Sequence, residues 1–227
     1  PALHERQRLA GWSEERFAEL RATYYGMCSR IDEQLRLVMD ALKERGFWDD
    51  AALFFFSDHG DFTGDYGLVE KTQNTFEEVL ARVPFIFKPP KFHKVHDHGL
   101  KPGVRDELVE LIDFPATVFE LTGIDPGYRH FGRSILPYLR GEREVHREQV
   151  HCEGGRLMGE SEASERESLP KAADDPSRNL YYPRISLQVS EEQPYHGKAS
   201  MLRTRRYKYV RRLYESDELY DLQSDPR

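Results

Sequence analysis

Ala51-Ala52-Leu53-Phe54-Phe55-Phe56 runs straight into Ser57-Asp58-His59-Gly60-Asp61, so a continuous apolar stretch ends on polar, metal-capable side chains. A short apolar run without alternation suits a strand buried on both faces of a mostly parallel sheet. Upstream, Ile31, Leu35, Val38, Met39 and Leu42 recur at spacings of three and four, which predicts a helix over 13–45 with one apolar stripe. Ser13 opens it weakly, Gly46 stops it, and Cys28 inside it reads as a core thiol. A long helix feeding a buried strand is half of a βαβ unit.

Downstream comes a loop with Gly64 and Gly67, then a helical stretch over 74–81 and a second buried strand, Val83-Pro84-Phe85-Ile86-Phe87. Proline is tolerated only near the start or edge of such a strand. Residues 89–105, with Pro89, Pro90, Pro102 and three histidines, read as a loop, and 108–112 as a short strand or helix start. Asp113 is a good N-cap, with Pro115 in the first turn of a helix that stops at Gly123. From Glu153 to Arg178, 26 residues hold seven acidic and four basic side chains and few large apolar ones, the composition of an exposed excursion. From Met201 to Tyr214 basic residues interleave with Tyr207, Tyr209 and Val210, as in an antiparallel hairpin.

The expected fold is therefore α/β: a mostly parallel sheet flanked by helices, followed by a small C-terminal α+β subdomain with an antiparallel sheet. The expected units are 1–150, the excursion 151–180 and the subdomain 181–227.

Composition bounds the function classes. The 227 residues include 33 Lys or Arg and 40 Asp or Glu, a net charge of −7, with 38% hydrophobic and 12% aromatic residues. That is a globular chain, too aromatic for wholesale disorder. No apolar run approaches the roughly 20 residues that span a bilayer, and the acidic balance argues against generic nucleic-acid binding. Cys28 and Cys152 form neither a disulfide framework nor a zinc-type spacing. The chain opens on Pro1, so the lack of a leader says nothing of its compartment.

Asp58 and His59 carry the most chemical information. In open α/β sheets the ligand crevice lies beyond the carboxyl ends of the strands, and a hard oxygen beside an imidazole nitrogen can hold part of a divalent cation's shell. The bland alternative is that Asp58 caps a turn and His59 is a satisfied polar residue.

The order of Tyr24-Tyr25, Ile31-Asp32, Phe56-Ser57-Asp58-His59-Gly60-Asp61, Gly64-Asp65-Tyr66-Gly67-Leu68, Lys71 and Arg82-Val83-Pro84-Phe85-Ile86 resembles the sulfatase family of the alkaline-phosphatase-like superfamily. Ile112-Asp113-Phe114-Pro115-Ala116-Thr117, Gly132-Arg133-Ser134-Ile135-Leu136-Pro137 and Glu218-Leu219-Tyr220-Asp221-Leu222 continue it, with the weakest stretch at 150–195. The resemblance implies an incomplete alkaline-phosphatase-like fold and a metal-dependent sulfuric ester hydrolase acting on a sulfated small molecule or glycan. It implies that Asp58 and His59 ligate a divalent cation, usually Ca2+, with Mg2+ or Mn2+ as alternatives, and that Lys71 is catalytic, neutralising charge on the transferring sulfuryl group. Tyr66 stands where many relatives carry a second histidine.

The family's formylglycine nucleophile arises from a Cys or Ser in a C/S-x-P-x-R setting, and neither Cys28-Ser29-Arg30 nor Cys152-Glu153-Gly154 matches it. The chain thus resembles the C-terminal half of a sulfatase. Alone it is expected to be inactive, to bind calcium weakly or not at all, and to self-associate or take an N-terminal partner chain across an open edge. The alternatives are a phosphodiesterase or phosphonate monoester hydrolase of the same superfamily, or a non-catalytic binding module.

Three further features have competing readings. His93, His96 and His98 resemble a transition-metal tract but also suit a solvated loop. His196 and Lys198 are candidate substrate contacts. Seven basic and no acidic residues from Lys198 to Arg212 suit a cationic wall for an anionic substrate, a nucleic-acid surface with Tyr207 and Tyr209 as stacking platforms, or the solvent face of a strand.

Overall fold

The computed structural model describes residues 9, 11–71, 74–91, 102–155, 157 and 197–225; His93, His96, His98, His196 and most of the acidic excursion lie outside them. The predicted long helix is α1, Glu14–Glu44, with the Ser13 hydroxyl accepting from the Arg16 amide at 3.4 Å and Gly46 turning the chain at φ 75°. Only Phe17 on α1 is buried, whereas Ile31 and Val38 are 49% and 52% exposed. Cys28 is exposed too, which corrects its reading as a core thiol. Periodicity identifies an apolar stripe but not whether something covers it.

The triple-Phe run forms β1, Leu53–Phe56, and the second run forms β2, Phe85–Lys88, starting just past Pro84. They pair antiparallel, Phe56 opposite Phe85 and Leu53 opposite Lys88. This corrects the expectation of a mostly parallel sheet: among the described residues both sheets are antiparallel. The apolar run carries no direction, and neither strand is buried on both faces as expected: Phe56 and Ile86 are exposed and their neighbours only partly covered. A parallel crossover must return along the sheet, but the only α-helix among the described residues between β1 and β2 is α2, Glu78–Ala81, whose four residues rise about 6 Å. The chain therefore re-enters at the end it left.

Phe54 stacks on Phe87 at 4.4 Å and meets Phe114 edge-on at 4.9 Å, which seats α3, Asp113–Thr122, on the sheet. Residues 108–110 are irregular and 111–112 form a turn. Asp113 is the first helical residue, not the cap, and its fully buried carboxylate ties four segments together. It accepts from Arg147 Nε at 2.8 Å and a second time from Arg147 Nη2, pairs with His146 Nε2 at 3.0 Å, and accepts from the amides of Arg133 at 2.7 Å and Glu110 at 3.0 Å. Gly132 lies so close to α3 that a Cβ there would stand 2.1 Å from the Ile112 carbonyl oxygen. A single turn, α4, Leu136–Leu139, follows.

β3 (Gln149–Gly154), β4 (Ala199–Thr204), β5 (Tyr207–Arg212) and β6 (Glu218–Asp221) form one antiparallel sheet in that order, as predicted for the C-terminal part. Its core is Ala199, Met201 and Val210 with Phe76, which comes from the segment after the first sheet's loop. No described helix is long and apolar enough to cross a membrane.

Candidate active site

The loop leaving β1 is pinned at Gly60. Its amide donates to the Leu80 carbonyl at 2.9 Å, and a Cβ there would stand 1.8 Å from the Val79 carbonyl oxygen, so the chain can run this close to α2 only without a side chain. Beyond it, Phe62, Leu68 and Leu80 form a small core. Thr63 bridges Val69, and the Gly64 and Glu70 amides donate to the Leu68 and Phe62 carbonyls at 2.9 and 3.1 Å. Tyr66 and Glu70 both take positive φ, 55° and 64°, a conformation costly for non-glycine residues and found where surroundings impose it. This folded-back loop returns the chain to the strand end, and Lys71 follows at once.

Lys71 Nζ lies 2.7 Å from His59 Nε2. His59 Nδ1 lies 2.7 Å from the Gly60 carbonyl, which can only accept, so Nδ1 carries the proton and Nε2 presents its lone pair to the Lys71 ammonium. Asp58 Oδ1 accepts from the His59 amide at 3.0 Å, and Asp58 Oδ2 stands 3.6 Å from His59 Nε2. The structure thus brings together all three residues singled out at this strand end.

These atoms can be tested as cation ligands. Two cis ligands on a Ca2+ ion with bonds of about 2.3–2.6 Å stand about 3.5 Å apart, close to the 3.6 Å between Asp58 Oδ2 and His59 Nε2. Nδ1–H donation to a carbonyl is also the usual second bond of a metal-binding histidine. The donor set fits two positions of a shell, and no group of three or more His, Cys, Asp or Glu suited to a metal exists among the described residues. One oxygen of Asp61 is buried without a hydrogen-bond partner among the described residues. The nearby Tyr24 hydroxyl is pushed up by burial first, then by Cys28 and the Asp61 charge.

The C-terminal sheet holds the segment after Lys71. Buried Asn74 donates through Nδ2 to the Gly197 carbonyl at 3.2 Å, and Arg212 Nη1 donates to the Asn74 carbonyl at 2.9 Å. Lys208, 2% exposed, reaches the Phe76 carbonyl at 3.4 Å and lies over the Tyr220 ring at 4.8 Å, while Arg203 bonds Glu78. The sequence offered no sign of Asn74, since its partners lie more than 120 residues away. On β5, Lys208 and Val210 point inward and Tyr207 and Tyr209 outward. The solvent-face reading of the basic stretch thus fails at Lys208, which is buried, while Arg205, Arg206 and Arg211 are exposed. Arg205 pairs with Glu107, Arg206 with Asp221 and Arg212 with Glu218, so most of these charges serve contacts within the chain. Lys198 Nζ pairs with Glu153 at 3.2 Å.

Comparison with known proteins completes the picture. The family model described as Sulfatase matches residues 2–124. A multifunctional alkaline phosphatase superfamily protein, PehA of Trinickia caryophylli, is 28% identical over 216 residues, covering 94% of this chain and 36% of its own length. An arylsulfatase of Clostridium perfringens is 33% identical over 134 residues, 59% of this chain and 27% of its own. The crystal structure of a phosphonate monoester hydrolase of Agrobacterium radiobacter superposes with a TM-score of 0.69 at 25% identity, covering 95% of this chain and 37% of that one. The matched part of the chain thus spans between about a quarter and little more than a third of the length of these relatives.

Proposed function

The chain belongs to the sulfatase family of hydrolases, and from that premise we propose that its β1 strand end is one side of a metal-dependent site for cleaving sulfuric esters. The carrying observation is the convergence of Asp58, His59 and Lys71, with Lys71 Nζ 2.7 Å from the metal-capable nitrogen of His59. In this reading Asp58 and His59 hold a divalent cation, Ca2+ first and Mg2+ or Mn2+ as alternatives, which when bound polarises ester oxygens. Lys71 supplies an ammonium where negative charge gathers in the transferring group. One lone pair cannot serve both an ammonium and a cation, so a cation held by His59 Nε2 would take the lone pair that now faces Lys71.

The gap in the donor set bears on how this chain acts. It holds no C/S-x-P-x-R segment from which a formylglycine nucleophile could form, and two protein ligands make a weak site. The proposal is that the activity, and any sulfated small molecule or glycan as substrate, belong to the family-length assembly, and that this chain alone does not turn over. A second reading, phosphonate monoester hydrolysis, has the Agrobacterium radiobacter structure in its favour. Ammonium and cation would serve phosphonyl and sulfuryl oxygens alike.

Calcium titration by calorimetry of the wild-type chain and of D58A, run beside hydrolysis assays with an aryl sulfate and an aryl phosphonate monoester, tests this. Weak binding lost in D58A, without hydrolysis, is expected. Binding unchanged in D58A, or turnover of either ester by the purified chain, would contradict the proposal.

A further inference from the structure

We infer that Arg21 is a positioning residue for the β1 strand-end site: from the start of α1 it clamps the folded-back loop of residues 62–70 and so sets where Lys71 meets His59. This role presumes that the strand end is the reactive site, and it adds a residue that touches neither substrate nor cation. Phe17 and Arg21, four residues apart, share one face of α1. Both meet the loop at one point. A Cβ on Gly64, which takes φ 107°, would stand 3.1 Å from Phe17 Cδ1 and from Arg21 Nη2 alike. Beside it Arg21 Nε donates to the Thr63 carbonyl at 3.1 Å. Phe17 is the only buried residue of α1, so the helix is seated on the protein where it grips this loop.

The loop needs such a grip. Tyr66 and Glu70 both take positive φ, which persists only where surroundings impose it. Leu80 packs beneath the loop on Phe62 and Leu68, and Glu77 accepts from the Tyr66 hydroxyl at 3.4 Å. Those two holds come from the α2 segment, whereas Arg21 ties the loop to α1. Lys71 directly follows Glu70, whose amide donates to the Phe62 carbonyl at 3.1 Å, and its Nζ lies 2.7 Å from His59 Nε2. A shift of the loop is therefore a shift of the ammonium relative to the ring. The Arg21 side chain is itself 40% exposed, and its ion pair with the 88% exposed Glu14 is loose at 3.8 Å. Its specific work is the bond to Thr63, not the filling of a core.

The full chain with isotope-labelled histidine rings is followed by NMR in metal-free buffer as wild type, R21M, R21Q and K71M, with the His59 signals assigned by their loss in H59Q. Glutamine places an amide nitrogen as many bonds from Cα as Arg Nε and keeps the donor to Thr63. Methionine places a methyl group there and loses it. K71M marks the His59 ring without its ammonium.

R21M is expected to move the His59 Nε2 signal toward its K71M position and to speed exchange of the Gly64 and Glu70 amides about two- to tenfold, the loss of one ordinary hydrogen bond. R21Q should keep both at their wild-type values, and circular dichroism checks the fold of each variant. An Nε2 signal in R21M that matches wild type, one in R21Q that moves as far as in R21M, wild-type and K71M signals that coincide, or global unfolding of R21M would each overturn the inference. No metal enters these spectra, so a His59 ring that afterwards ignores added Ca2+ counts against the cation reading alone.

Discussion

His59 shows how a single side chain is readied by its neighbours: one ring nitrogen is committed to the Gly60 carbonyl, which leaves the other as an acceptor beside Lys71 and Asp58. That Asp58 and His59 follow an apolar strand was legible from the sequence, and strand ends in α/β folds are where ligand chemistry collects. That Gly60 must be glycine was not, because the reason is a backbone carbonyl nineteen residues away. Gly60→Ala forces its new methyl group into Val79 and should cost about 1–3 kcal/mol in urea denaturation. Gly26→Ala is the control. A Cβ at Gly26 in α1 meets nothing within 4 Å, so that variant should gain about 0.5–1 kcal/mol. Lys71, an exposed residue, can be changed to Met with a shift within about 0.5 kcal/mol. Its loss should be read at the site and not in stability.

Between elements, the Asp113 cluster joins the α3 start, the loop at Arg133 and the segment that enters β3. Burial alone would raise this carboxyl, but bonds from Arg147 and His146 and from two backbone amides overcome burial and hold it well below the usual carboxylate range. Because the folded value lies below the unfolded value near 3.9, its stabilisation is fully present above about pH 5 and drains away as acid protonates it. Chemical denaturation from pH 7 to pH 3 should show falling stability, with a flatter profile in D113N. Removing the charge leaves the buried Arg147 with Glu110, 3.2 Å away, as its remaining ion-pair partner, and should cost about 1–3 kcal/mol at neutral pH. Here sequence reasoning found a cap because cap chemistry is local. The actual partners, Arg133, His146 and Arg147, lie 20 to 34 residues away and no periodicity announces them. The β5 hairpin was legible in its period of two, but which face turned inward depended on Phe76, Glu78 and Asn74 waiting beneath it.

At the scale of the molecule, α1 leaves Ile31 and Val38 about half exposed, and among the described residues β1 and β2 pair only with each other. An amphipathic helix, an aromatic strand and a metal-capable strand end were each readable from residue order. The direction of the sheet and the uncovered stripe were not, since both depend on what packs against the elements. The chain alone should associate reversibly as its concentration rises, with I31E and V38E restoring a monomer in light scattering. The central claim, that Asp58 and His59 present one cation-binding position beside Lys71, is tested most directly by Mn2+ titration followed by NMR of the labelled histidine rings. Selective paramagnetic broadening of the His59 ring, abolished in D58A and reversed by excess Ca2+, is the predicted result. A His59 ring that stays sharp at every Mn2+ concentration, or broadens equally in D58A, would contradict it.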